Sequence, residues 1–187
     1  PDSLLRGHTT RHFLSALARC YDSCPRPRIL EKVRYLVQGL EECQQAFSRT
    51  EGFQPGFLSA YSEEQFDLLE EYTPYPEIWA PYYTLHKILA GLLDCYTYLQ
   101  DETALQIARD LGDWACRRLG RLSRTQLTRM WSMYIAGEYG GMNEVMARLY
   151  QITGKQAYLD CAGLFDNDRL LYPLEQGVDA LTGMHAN

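Results

Sequence analysis

The chain has 187 residues, 46% of them hydrophobic, which suits one domain with its own core. A formal net charge of −6 argues against a nucleic-acid partner or an anionic membrane surface. No apolar run reaches the length of a membrane span, and no secretory leader is visible, so the compartment stays open.

From the N-terminus, apolar residues recur at helical spacing. Leu4 to Tyr21 reads as a helix, with Phe13, Leu14, Leu17, Ala18 and Tyr21 on one stripe and His8 and His12 one turn apart near its start. Pro25-Arg26-Pro27 interrupts it. A second helix spans about Arg28 to Phe47, striped by Leu30, Val33, Leu36, Val37 and Leu40. Gly52 to Ala60 reads as a loop, and Ser62 with Glu64 and Gln65 as the start of a short helix. Tyr72 to Pro81, with three prolines, Tyr75 and Trp79, is a long loop of the kind that carries function.

A strong helix starts at Tyr82, striped by Leu85, Ile88, Leu89, Leu92, Leu93 and Tyr96. Gln100-Asp101-Glu102 turns the chain, and Leu105, Ala108, Leu111, Ala115 and Leu119 mark the return helix. Ser123 with Gln126 forms a capping-box signature for a helix to about Ile135. Asn143 to Ile152 is the next helix, followed by a turn at Thr153-Gly154 and a return helix to about Phe165. Asp166 to Gly183 reads as looser chain, and no strand pattern of weight appears: the class is all-α. None of the six cysteines forms a Cys-x-x-Cys pair. All six read as reduced core residues rather than as disulfides or a zinc site.

One spacing repeats. Tyr21, Leu30 and Val33 follow Tyr-x8-Leu-x2-Val; Tyr96, Leu105 and Ala108 repeat it, as do Tyr150, Leu159 and Ala162. Each set straddles a short turn, so the unit is an αα-hairpin used at least three times. An open solenoid and a closed toroid both build from such units. The repeats start 75 and then 54 residues apart, with long insertions at one end only, which fits a toroid with functional loops on one rim better than an even solenoid.

The repeat also positions polar residues. His12 lies nine residues before Tyr21, His86 ten before Tyr96, and Asn143 and Glu144 seven and six before Tyr150. Each falls near the start of its hairpin's first helix, about 9–15 Å from the short turn at 1.5 Å per residue. Hairpins packed side by side bring them to one rim, where His86, Asn143 and Glu144 should line one concavity. Gly183-Met184-His185 echoes Gly141-Met142-Asn143, so His185 belongs with them. In Glu138-Tyr139-Gly140-Gly141-Met142-Asn143-Glu144, two glycines permit positive φ or a close backbone approach, and a helix start offers unpaired N–H groups. The competing reading there is a surface ion pair between Glu144 and Arg148 in i,i+4 register.

Four ordered stretches carry a family resemblance: Leu5-Arg6-Gly7-His8 with His12-Phe13-Leu14-Ser15-Ala16; Pro81-Tyr82-Tyr83-Thr84-Leu85-His86-Lys87; Tyr139-Gly140-Gly141-Met142-Asn143-Glu144; and Met184-His185-Ala186-Asn187. Together they resemble glycoside hydrolase family 127, the β-L-arabinofuranosidase-type enzymes, over essentially the whole chain. The resemblance implies an (α/α)6 toroid followed in the family by β-sandwich domains. It also implies release of terminal β-L-arabinofuranose or a related sugar with retention of configuration. It implies a zinc-bound cysteine nucleophile, its metal site completed by other cysteines and a glutamate. Those residues follow the Met184-His185-Ala186-Asn187 match in the family, and none of the six cysteines here fits that motif. The expectation is a single unit, residues 1–187, forming the first part of a toroid. It would have a carbohydrate partner, no catalytic residue or zinc ligand of its own, no turnover in isolation and a tendency to associate. His8, His12, His86, Asn143, Glu144 and His185 would supply hydrogen bonds to sugar, and Trp79 a flat face for stacking. Two alternatives stay open: a sugar epimerase or unsaturated-uronide hydrolase on the same toroid, and a non-catalytic helical scaffold for protein partners.

Overall fold

The structure is a computed structural model and describes residues 6–182. Helices account for its regular structure, with no strand among the described residues. The first hairpin is α1 (His8–Ser23) and α2 (Pro27–Ser48), joined by residues 24–26; Pro27 sits in the first turn of α2, where its missing N–H costs nothing. The second is α4 (Pro81–Leu99) and α5 (Glu102–Leu119). Gln100 turns the chain in the left-handed region, and Asp101 caps α5 by accepting from Ala104 N at 2.9 Å. The third is α7 (Met142–Thr153) and α8 (Gln156–Gly163), turned at Gly154 with φ +70°. All three turns fall between the Tyr and Leu of the repeated spacing.

The hairpins stack in two layers. α1, α4 and α7 pack in sequence as an inner layer; α2, α5 and α8 pack in sequence outside them. Contacts at both ends fix the inner helices as parallel. His8 on α1 stacks on Tyr83 of α4 near their starts, and Arg19 lies over Tyr98 near their ends. Gly141 meets His86 at the start of α7, and Arg148 bonds Asp94 two turns further on. This is a segment of an (α/α) toroid wall. The middle inner helix, α4, is covered from three sides, so its buried residues run from Pro81 to Cys95 almost without a break. The flanking helices bury only a stripe.

The connections add a third set of contacts. Residues 49–63 fold back on α5, where Phe47, Phe53, Phe57, Phe66 and Trp114 form a continuous ring cluster. Gly56 has φ +85°, and a Cβ there would stand 2.2 Å from the Asp110 carbonyl oxygen, so only glycine lets the loop lie this close. The short helix α3 (Glu64–Glu70) docks by charge. The buried Arg118 guanidinium of α5 meets Glu63 at 3.5 Å, Asp67 at 2.5 Å and Glu70 at 2.5 Å, while Trp114 Nε1 donates to Glu63 at 2.8 Å.

Three expectations need correction. The helix opened by the Ser123–Gln126 capping box, α6 (Arg124–Trp131), stops four residues before Ile135. Ile135 takes φ +56°, and at Gly137 a Cβ would lie 1.9 Å from Met130 O, so the chain folds tightly against its own helix end. Asp166 to Gly183 is not all loose: α9 (Asp168–Glu175) forms there, capped by Asn167 Oδ1 accepting from Arg169 N at 3.1 Å. The cysteines are not all core. Cys95 and Cys161 are buried and Cys116 is half-buried, but Cys20 and Cys43 are exposed because they fall off the apolar stripes of α1 and α2, and Cys24 is exposed in the turn between them.

Candidate functional site

The starts of α1, α4 and α7 converge at one end of the inner layer. α1 begins after Gly7, whose φ of +77° turns the chain, and a Cβ there would stand 2.9 Å from the Ala60 methyl. That turn brings the His8 ring to 5.0 Å from His12 and 5.8 Å from Tyr83, nearly parallel to the latter at 10°. Lys87, one turn beyond Tyr83, sets its ammonium 4.4 Å from the centre of the same ring. Burial, then the charges of His12 and Lys87, pushes the His8 pKa below its ordinary value. A neutral imidazole, with one donor and one acceptor nitrogen, is therefore favoured at neutral pH.

His86 points from α4 towards the glycine loop and is only 4% exposed. Its Nδ1 accepts from Gly141 N at 3.2 Å, which in the neutral ring leaves the proton on Nε2. A Cβ on Gly140 would lie 2.8 Å from His86 Nδ1 and 3.0 Å from Tyr83 Cδ2; one on Gly141 would lie 2.8 Å from His86 Nε2. Gly140 also takes φ +58°. The paired glycines thus serve both purposes open to them, positive φ and close approach. Tyr139, with its ring edge-on to Trp131 at 5.1 Å, anchors the same loop from the other side.

The two polar residues after the loop go elsewhere. Asn143 Nδ2 spends both hydrogens on Ala162 O at 3.0 Å and Asp166 Oδ1 at 2.8 Å, tying α7 to the end of α8. Glu144, whose side chain is 55% exposed, pairs with Arg148 at 3.5 Å in i,i+4 register. Arg148 in turn neutralises buried Asp94 at 2.8 Å. The expected shared concavity of His86, Asn143 and Glu144 is not formed. Successive positions on a helix point about 100° apart at 3.6 residues per turn, so Asn143 faces α8 while Glu144 faces solvent. Trp79 stands just ahead of α4, edge-on to Tyr75 at 5.0 Å, and lines a neighbouring cleft. His185 lies outside the described residues.

Sequence reasoning missed Tyr83, which joins His8 to the glycine loop, and Lys87, whose ammonium lies over the Tyr83 ring. They flank His86 in its own motif and stand four apart, on one helix face.

A double layer of αα-hairpins with parallel inner helices defines a class, proteins built on an (α/α) toroid. Over residues 1–187 the chain matches the β-L-arabinofuranosidase catalytic domain of glycoside hydrolase family 127, and it belongs to that family. Its substrate is accordingly a carbohydrate. Comparison with curated proteins gives no match.

The zinc that the family resemblance implies does not fit the described residues. Among them, no group of three or more His, Cys, Asp or Glu side chains is placed to hold a metal ion. Burial pushes the Cys95 thiol up to about 12, and the hydrogen bond that Cys161 donates to Cys116, together with burial, raises Cys161, so both are protonated at neutral pH. No helix of the described residues is long and apolar enough to cross a membrane.

Proposed function

We propose that this chain forms the sugar-holding wall of a glycosidase that releases terminal β-L-arabinofuranose with retention of configuration. The observation that carries the reading is the contact chain His12–His8–Tyr83–Lys87, continued through His86 to the glycine loop, in a chain of this family. Three hairpins contribute to it. A furanose ring needs several donors and acceptors converging on its hydroxyls. The neutral His8 imidazole offers both, His12 adds a second imidazole beside it, and the Lys87 ammonium donates. His86 acts as a positioning residue that seats the loop, and Asn143 holds α7 against α8. Glu144, exposed in the first turn after the loop, is the carboxylate we assign to a sugar hydroxyl, and His185, outside the described residues, is assigned to sugar from its motif alone.

Retention requires a nucleophile at the anomeric carbon and a proton donor for the leaving oxygen. The described residues offer no paired apparatus of that kind, and the buried thiols of Cys95 and Cys161 are poor nucleophiles. We therefore assign the reacting groups, and the zinc, to residues other than those described. The 187-residue chain should bind arabinose without turning over a nitrophenyl β-L-arabinofuranoside, with or without added zinc. Binding is read as a rise in melting temperature with L-arabinose and none with hexoses, lost in His8→Ala. Turnover abolished by Glu144→Gln or by replacing any of the six cysteines would show that the catalytic centre lies within this chain. An unchanged melting temperature with every sugar would favour the scaffold reading.

A further inference from the structure

We propose that the cleft beside Trp79 is a second saccharide subsite. It would hold the sugar unit linked to the arabinofuranose at the histidine rim. This rests on the function proposed above.

Contiguity is the first argument. The cleft is lined by Arg6, Tyr61, Ser62, Gln65, Glu77 and Trp79. Arg6 is two residues from His8, and Trp79 four from Tyr83, so the same two chain segments border both the cleft and the rim. The Tyr61 hydroxyl accepts from Arg6 N at 3.3 Å, and Gly7 packs on Ala60, which pins the shared wall. A ligand unit in the cleft and another at His8 are thus neighbours, as two linked sugars must be.

Size and chemistry agree. The cleft volume is about 240 Å³. That is below the roughly 300–1,000 Å³ of pockets for drug-sized ligands and suits one small ring. The half-buried Trp79 indole stands perpendicular to the Tyr75 ring, at 82°, and brings to the cleft an aromatic side chain of the kind on which the C–H face of a sugar stacks. Among the described residues, the Gln65 amide, the Glu77 carboxylate and Trp79 Nε1 make no hydrogen bond within the protein. They therefore present donors and acceptors to whatever fills the space. The formal charges of Arg6 and Glu77 cancel, which fits a neutral polyol better than a phosphate or an amine.

Trp79 supplies its own reporter. Of the three tryptophans, Trp114 and Trp131 are 1% and 5% exposed, with Nε1 bonded to Glu63 and to Leu164 O. Acrylamide quenching of the native chain therefore reads Trp79. An arabinofuranosyl disaccharide should shield Trp79 at concentrations about tenfold lower than L-arabinose. Gln65→Ala should lose about tenfold in disaccharide affinity by calorimetry while its L-arabinose affinity stays within twofold. Equal affinities for the two sugars, with Gln65→Ala changing neither, would overturn the subsite and leave the rim standing. Failure of both sugars to bind would overturn the subsite and the rim together.

Discussion

At the scale of single residues, the site is an arrangement of rings that leaves no room for side chains on the opposing loop. Adding one methyl at Gly141 drives Cβ to 2.8 Å from His86 Nε2, and the buried His86 ring has little room to give way. Overpacking of this kind costs about 1–3 kcal/mol. Gly141→Ala should therefore lower the unfolding free energy in urea by that amount and weaken arabinose binding, whereas Gly154→Ala should leave binding intact, because nothing lies within 4 Å of its added Cβ. His8 gives a prediction in pH. Its pKa is lowered in the folded state, so the unfolded chain binds more protons as the pH falls through the ordinary histidine value of about 6.5. The contribution of His8 to stability is thus full above that value and declines below it, towards the folded pKa. In His12→Ala the His8 imidazole resonance should titrate at higher pH, because one opposing charge is gone; an unchanged titration would mean that His12 exerts no field on it.

At the scale of elements, the charge clamp between α3 and α5 is the feature that apolar periodicity does not reveal. Arg118 is 5% exposed and faces three carboxylates; removing it leaves buried Glu63 with only the neutral donors Trp114 and Gln54, and Glu70 with only the exposed Arg121. Breaking a buried pair from one side costs about 3–5 kcal/mol. Arg118→Met should lose that much in denaturant unfolding, and Glu63→Gln in the same background should recover part of it. Full stability in Arg118→Met would show that α3 is held by its apolar face alone. The three hairpins, by contrast, were legible residue by residue. Leu14 and Ala18, Leu85 and Leu89, and Val145 and Leu149 fall at helical spacing and are all buried. Short turns with a Gly or a capping Asp then leave antiparallel packing as the simplest arrangement. The end of α6 was not legible. Met133, Tyr134 and Ile135 continue its apolar pattern, yet the chain leaves the helix after Trp131, with Ile135 at φ +56° and Gly137 packed against Met130 O. The Asn167 cap of α9 was present in the sequence but was outweighed by Pro173 and Gly177.

At the scale of the whole molecule, the repeat offset placed polar residues of different hairpins at one end of the inner layer; there Tyr83 and His86 of α4 meet the glycine loop, and His8 of α1 meets Tyr83. It could not say which way each side chain turns. Asn143 and Glu144 sit at the predicted level but diverge, because one position along α7 separates a residue facing α8 from one facing solvent. The two-layer wall gives the proposed sugar site its rigidity. α4 is buried along most of its length, so Tyr83, His86 and Lys87 are held by the core rather than by a loop.

The central claim is that this rim takes an arabinofuranose. Only four histidines occur in the chain, so the imidazole region of a ¹H–¹⁵N spectrum holds few enough resonances to assign by single substitutions. Titration with L-arabinose should move the His8 and His12 signals in a saturable way, while the same concentrations of a hexose leave them in place. His8 and His12 resonances that stay fixed throughout the arabinose titration, or that move equally with any sugar, would contradict it.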